Sequence, residues 1–463
     1  MGMRANSVLA IVLILVMLVS VFAWLSVGSP NKPTIVQPVG YDPTATPSMT
    51  NQTANPTSTI DPARMQNIGN WISSAMSSIT NPVMGRPPGL IESNQNLTAA
   101  VWKTVATNAW QYFQPDNGVD RNTGLPKASL GFPYFTDWDL GVYIQAIIDA
   151  NQTGLIGYDG DWGANARINK VLTFLETREL NATTGYPYWF YQASDGKDYH
   201  AQSDLATEPA NLVDTGRLFV ALNNLKAYNS TLATRINNVV HRSNYDVFIA
   251  GIKADCATST SIYSYYVNSG FASFWPNDLS GSPSTILNNL SSAGTVNASG
   301  ILLPKGTIST EPLLCSLFEL NNNDPRLIDL SKKVYLAHEA YYNTTGKYVA
   351  FSEGNGPTDN FLYEWVVVPN GDTWKITQAG DYSFSTYLGI DPIIYTKTAL
   401  SFLAYENTTF ARNNVIYLER ILPDPTNGYT DGADNSGNII SSVGSNTNGL
   451  ILDAALYAIQ NNS

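Results

Sequence analysis

The chain has 463 residues, only 13% of them charged, with a formal net charge of −12. That balance lacks the basic footprint of a nucleic-acid binder and excludes nucleic acid as a partner. The histidines, His200, His241 and His338, are too scattered for a His-rich metal site, and no Gly-x-Ser-x-Gly motif supplies a nucleophile for a Ser-His-Asp triad. Neither a metal nor a cofactor is expected.

Residues 1–28 contain the uncharged run VLAIVLILVMLVSVFAWLSV (8–27). Its length suits a membrane-spanning helix better than the shorter apolar region of a signal peptide. Arg4 and the α-amino group precede it, so the positive-inside rule places the remaining chain outside the cell. The expectation is a single-pass signal anchor in the cell membrane with an extracellular C-terminal domain; a cleaved signal and a secreted protein is the alternative. Residues 29–60 are rich in Pro, Thr, Ser and Asn and nearly free of charge, which reads as a disordered stalk. Residues 61–463 form the domain. Asn-x-Ser/Thr sequences at Asn51, Asn96, Asn151, Asn181, Asn229, Asn289, Asn297, Asn343, Asn407 and Asn461 suit an extracellular glycoprotein. Cys256 and Cys315 could form a disulfide or remain two buried thiols.

Apolar residues then recur with helical spacing over 97–113, 137–150, 166–180, 211–228, 232–252, 311–320, 326–342, 393–405, 408–422 and 447–460. Short turns alternate with long aromatic loops between them. Such a series can bury both faces of its helices by closing into a ring. The predicted fold is mainly α, an α/α toroid of about six helical hairpins. KYVAFSEG (347–354) and FLYEWVVV (361–368), separated by a turn signal, predict a small β-hairpin insertion at one rim.

In FLYEWVVV the two-residue period sets Glu364 on one face with Leu362, Val366 and Val368, and Trp365 on the other. A carboxylate among aliphatic side chains must be paired, hydrogen-bonded or raised in pKa, and a raised carboxyl is what a general acid needs. The competing reading is a strand-edge glutamate that reaches solvent. Glu353 ends the preceding strand before two glycines, as a site residue or an ordinary turn acid.

Thr136-Asp137-Trp138-Asp139 fits a capping box: Thr136 as N-cap, Asp139 as the returning carboxylate, and Asp137 favoured by the helix dipole. On an otherwise apolar helix, Asp214 and Arg217 lie three apart and predict a buried pair, either a structural ion pair or an active-site clamp. The acidic loop 428–438 lacks the ligand spacing of an EF-hand. The aromatic groups Tyr186, Tyr188, Trp189, Phe190 and Tyr191, and Phe271, Phe274 and Trp275, suit sugar faces but could equally cover a core.

Taken together, GLPKASLGFPYFTDWDLGVYIQA, DTGRLFVAL, KYVAFSEGNGPTDNFLYEW, GIDPIIYTKTALSFLA, DPTNGYTDG and SNTNGLILDAALYA resemble the glucoamylase-like toroid domains of uncharacterised bacterial and archaeal proteins. Those are relatives of the endo-β-1,2-glucanase and cyclic-glucan-synthase toroids. The resemblance spans roughly residues 120–460 and departs at Asp453, where members often carry Glu. It implies an α/α toroid with a cleft lined by the Thr136–Asp139 turn, the Ser352-Glu353 turn and the aromatic loops, and carbohydrate as substrate class. Fold alone does not transfer activity.

The resulting expectation is a membrane-anchored glycoside hydrolase or transglycosylase acting on an extracellular oligo- or polysaccharide. Glu353 or Glu364 would be the acid, Asp139 the base and Asp137 a positioning group. Trp138, Trp189 and Trp365 would stack sugars, with Asp214 and Arg217 as further substrate contacts. The alternatives are a non-catalytic glycan-binding or cell-envelope scaffold, and a polysaccharide lyase drawing its base from the scattered histidines.

Overall fold

A helix such as LVDTGRLFVALNNLKAY, apolar on nearly every side, needs neighbours all round it. The computed structural model supplies them by arranging helices in two concentric rings; it describes residues 89–198, 211–320, 323–358, 360–379 and 383–461. The expected anchor (1–28), the stalk (29–60), Asn51 and His200 lie outside the described residues.

In chain order the helices are α1 (Ala99–Trp110), α2 (Asp137–Gln152), α3 (Ala164–Thr177), α4 (Leu212–Tyr228), α5 (Ala233–His241), α6 (Asp246–Thr258) and α7 (Ile262–Ala272). There follow α8 (Ser282–Ser292), α9 (Thr310–Glu319), α10 (Pro325–Thr345), α11 (Thr396–Glu406), α12 (Thr409–Ile421) and α13 (Ser445–Asn461). The inner ring closes on itself: α2 packs on α4, α4 on α7, α7 on α9, α9 on α11, α11 on α13, and α13 back on α2. The outer helices bury one stripe only. On α5 the buried residues are Ile236, Val239 and Val240, and on α12 they are Phe410, Ala411, Asn414, Val415 and Leu418. The fold is therefore the expected α/α toroid.

Glycine lets the inner helices touch backbone to backbone. A Cβ at Gly270 on α7 would lie 2.1 Å from the carbonyl oxygen of Gly216 on α4, and one at Gly216 would lie 2.4 Å from Val267 Cγ1.

The inserted sheet has three antiparallel strands, β5 (Glu353–Asn355), β6 (Phe361–Val367) and β7 (Thr373–Gln378), with Glu353 opposite Tyr363. Small ladders occur elsewhere: β1 (Tyr134–Phe135) with β2 (Tyr191–Gln192), β3 (Thr295–Ala298) with β4 (Ile301–Pro304), and β8 (Ile393–Tyr395) with β9 (Gly432–Asp434) and β10 (Ile439–Ile440).

Several expectations change. The run 232–252 is two helices, α5 and α6, broken around Ser243. Helix α7, rich in Tyr and Ser, has no strong helical signature, yet its residues Ile262–Asn268 are all buried; tertiary packing overrides its weak propensity. Phe271 thus belongs to a core helix, not to a loop. Cys256 and Cys315 are both free and buried. Asn181 is 5% exposed and its side-chain oxygen accepts from the Thr183 and Thr184 amides, which closes that position to a glycan. Among the described residues no helix is long and apolar enough to cross a membrane.

A candidate active site at the start of the inner helices

All six inner helices begin at one end of the ring, because residues of their first turns meet there: Trp138 with Asn446, Asn446 with Glu311, Glu311 with Lys397, Asp214 beside Asp139 and Tyr263 beside Glu311. Their first turns carry Asp137, Trp138 and Asp139 (α2), Asp214 (α4), Tyr263 (α7), Glu311 (α9), Lys397 (α11) and Asn446 (α13). Six positive dipole ends therefore surround one small region, which favours carboxylates there.

The polar side chains of this end are knitted together. Trp138 Nε1 donates to Asn446 Oδ1 at 3.1 Å, and Asn446 Nδ2 donates to Glu311 Oε1 at 2.7 Å. Ser352 Oγ donates to Glu311 Oε2 at 2.8 Å, while the Lys397 ammonium pairs with the same carboxylate. Glu311 and Lys397 are 0% and 1% exposed, so each charge depends on the other. Tyr263 Oη donates to Glu353 Oε2 at 2.5 Å.

Glu353 is the buried carboxyl of this group whose pKa is raised most clearly. It is 6% exposed, and burial, reinforced by the neighbouring Glu311 charge, pushes its carboxyl up to about 8; Lys397 and the Tyr263 hydrogen bond only partly offset this. It therefore holds its proton at neutral pH, with an oxygen already oriented by Tyr263. Asp214 is half-buried at the start of α4, where Trp189 Nε1 donates to its Oδ2 at 3.1 Å. Burial and then the Asp139 charge raise it to about 7.

The capping box forms as expected. Asp139 Oδ2 accepts from the Thr136 amide at 3.0 Å, and the Thr136 hydroxyl accepts from the Trp138 amide at 3.1 Å. Its other oxygen takes Ser445 Oγ at 2.6 Å, which ties α2 to α13. Burial raises its pKa as well, but both oxygens are occupied. Asp137 is 4% exposed and is clamped by Arg178 Nη1 at 2.5 Å and Thr215 Oγ1 at 3.3 Å.

Three site residues stand apart from their expected settings. Glu364 is fully buried: Oε1 accepts from the Ile393 amide at 2.8 Å, and burial holds the carboxyl well above the usual range, so it links β6 to β8 with no surface open to a substrate. Trp365 is 2% exposed, its Nε1 donates to Thr377 Oγ1 at 3.0 Å, and its ring lies edge-on to Tyr263. It braces Tyr263 from behind. Arg217 does not pair with Asp214. It turns into the ring, pairs with Glu319 on α9 and lies under the Trp138 ring at 5.1 Å.

Beneath Arg217 lies a second buried carboxylate group: Asp149, Glu319 and Asp453. Gln145 Nε2 donates to Asp149 Oδ1 at 2.8 Å, Tyr266 Oη donates to Glu319 Oε2 at 2.6 Å, and Asp453 hydrogen-bonds both acids. Burial pushes Asp149 up to about 6 and Glu319 up to about 8. The acidic loop 428–438 is a bracket. Asp431 takes Thr447 Oγ1 at 2.5 Å and Asn355 Nδ2 at 2.9 Å, and Asp434 caps its own turn through the Ser436 and Asn438 amides. Among the described residues no group of three or more His, Cys, Asp or Glu could hold a metal ion. His338 is buried, with Nδ1 on the Val334 carbonyl and Nε2 accepting from the Phe351 amide; burial lowers it to about 4, so it is a neutral core residue.

Sequence reasoning passed over Tyr263, Glu311, Lys397 and Asn446. The signal existed in part: Glu311 and Lys397 are each a lone charge opening an apolar helix, and a buried charge requires a partner.

Solved structures share the toroid. The endo-β-1,2-glucanase of Chitinophaga pinensis, in complex with sophorotriose and glucose, is similar with a TM-score of 0.56 and 14% identity, over 79% of this chain and 95% of that one. A candidate glucoamylase from Bacteroides caccae ATCC 43185 is similar at 0.53 and 15%, over 79% and 94%. The endo-β-1,2-glucanase of Talaromyces funiculosus, in complex with sophorose, is similar at 0.50 and 10%, over 81% and 89%. At these identities the likeness is one of fold, the glucoamylase-like toroid that the sequence resembles. No curated protein matches the chain. Residues 104–271 and 287–461 match the family described as "Protein of unknown function (DUF3131)", and the chain belongs to that family.

Proposed function

We propose that the toroid is a carbohydrate-active enzyme, a glycoside hydrolase or transglycosylase, with Glu353 as general acid and Asp214 as general base. One observation carries this reading: at the end where the inner helices begin stand two carboxyls raised above the usual range, Glu353 held by Tyr263 Oη at 2.5 Å and the half-buried Asp214 held by Trp189 Nε1 at 3.1 Å. A pair of carboxyls, one protonated and one able to ionise, is what acid–base cleavage of a glycosidic bond needs. Glu353 donates its proton to the glycosidic oxygen as the C–O bond breaks. Asp214 takes the proton of a water, or of an acceptor sugar hydroxyl, that attacks the anomeric carbon. Asp139, the base expected from sequence, keeps the capping role because both its oxygens are taken.

The sugars bound by the glucanase neighbours support a glucan as substrate. The apolar run at 8–27 supports an extracellular domain held on the cell membrane. The test is release of reducing sugar from β-1,2-, β-1,3-, β-1,4- and α-1,4-glucans by the detergent-solubilised full chain and by its Glu353→Gln variant. Release that Glu353→Gln abolishes supports the reading; release that the variant leaves intact sinks it.

A second reading, a non-catalytic glycan-binding or envelope protein, is favoured by the engagement of Asp137 and Asp139 in an ion pair and a cap. It predicts glucan retention with no release of sugar.

A further inference from the structure

Two aromatic tracks lead away from the two candidate carboxylates, one from each. The first starts at Trp189, whose indole donates to Asp214, and continues to Phe190 at 5.0 Å between ring centroids and to Phe132 at 5.9 Å. Phe132 is 40% exposed. The loops that carry these rings are held by main-chain bonds: β1 pairs with β2, and the Ala193 amide donates to the Pro133 carbonyl at 3.0 Å. The Leu130 amide donates to the Val443 carbonyl at 3.0 Å, which fixes the same loop beside the start of α13.

The second track starts at Tyr363, directly opposite Glu353 in the β5–β6 ladder and beside Tyr263 at 6.3 Å. It runs outward along the same strand face to Phe361 at 5.7 Å, 39% exposed. Here the strand period itself lines up the rings.

We infer that these tracks are carbohydrate subsites on the two sides of the cleavage point, and that the ligand is a glucan chain several sugars long lying across both. Each exposed ring joins a fixed row that ends at a titratable group, which is the arrangement a chain of flat-faced sugars with polar edges requires. A patch for packing against lipid or another protein would have no reason to lead to Asp214 on one side and Glu353 on the other. This inference rests on reading the cleft as a carbohydrate site, not on its catalysing a reaction.

The test is affinity electrophoresis of the full chain in β-1,2-, β-1,3-, β-1,4- and α-1,4-glucan gels. Titration with sophorose and with the retarding polymer follows. Phe132→Ala/Phe190→Ala and Phe361→Ala/Tyr363→Ala are each expected to weaken polymer binding about tenfold, and sophorose binding by much less. Single Phe132→Ala and Phe361→Ala variants, which remove exposed rings, guard against loss of fold and should each show part of the effect. Unchanged polymer binding in both double variants overturns the inference, as does equal loss for polymer and disaccharide. Absence of retardation in every glucan also overturns it. Polymer binding with no hydrolysis leaves the subsites standing and removes the hydrolase reading; hydrolysis with unaffected binding in the double variants does the reverse.

Discussion

The guanidinium of Arg217 on α4 meets the carboxylate of Glu319 on α9 at 2.8 Å, both essentially without exposure. Asp149 and Asp453 lie close by, so one cation serves a group of three acids in the middle of the ring. At a pH above about 8, where Glu319 is ionised, removing the cation leaves buried carboxylates with no counter-charge. Arg217→Ala should cost about 3–5 kcal/mol, read as a lowered midpoint in urea unfolding. The combined Arg217→Met/Glu319→Leu change should cost clearly less than Arg217→Ala, because it removes both charges and keeps the volume.

The same acids set a pH dependence of stability. Asp149 is raised from 3.8 to about 6, and Glu319 from 4.5 to about 8. In the folded chain each keeps its proton to a higher pH than in the unfolded chain. Their contribution is full below the unfolded values and is lost as pH rises through about 6 and about 8. The Tm should therefore be higher at pH about 5 than at pH about 8.5, and Asp149→Asn/Glu319→Gln should flatten that slope. A Tm that climbs with pH over this window would contradict the assignment.

For the proposed reaction, Asp214 must be ionised and Glu353 protonated. Activity should rise with pH through about 7 and fall through about 8, a narrow bell in kcat/KM. Glu353→Gln and Asp214→Asn should each lower kcat by about 10²–10⁴-fold with smaller effects on KM, and Asp214→Asn should remove the acidic limb of the profile.

Tyr263 gives a finer test. Its hydrogen bond lowers the Glu353 pKa, opposing the effect of burial. Tyr263→Phe should move the alkaline limb to higher pH and leave the acidic limb in place. A purely structural Tyr263 would reduce stability without moving either limb.

Asp139 separates capping from catalysis. Thr136→Ala should cost about 1 kcal/mol through the lost cap and move the acidic limb to higher pH, because the Thr136 hydroxyl helps to hold the Asp214 pKa down. Asp139→Asn should lower Tm, keep turnover, and move only the acidic limb to lower pH, because the Asp139 charge helps to raise Asp214. If Asp139→Asn instead abolishes turnover in a fully folded protein, the base assigned to Asp214 is wrong.

Much of the fold was legible because it rests on local rules. The capping box at Thr136 and Asp139, the apolar stripes of α12 and α13 and the strand period of FLYEWVVV each follow from spacing within a single segment. Helix α7 was not legible: YSYYVNSGF has little helix preference and is helical because α4, α8 and α9 surround it. The site divided in the same way. Asp214, Glu353 and Trp189 stood out as polar or aromatic residues at element starts and in loops. Glu364 and Trp365 looked equally suitable, since a two-residue period assigns a face but does not say which neighbouring strand or helix will cover it.

The chain alone determined that the inner helices need neighbours on every side, because each is apolar nearly all round, and a closed ring is one arrangement that supplies them. It also determined where α2 starts, since the Thr136–Asp139 capping box acts over one turn. Only the tertiary structure decided which charges meet. Arg217 takes Glu319 from α9 in preference to Asp214 three residues before it, and Lys397 takes Glu311. A buried charge is satisfied by whichever partner the packing of distant helices brings within reach, and no local pattern encodes that distance.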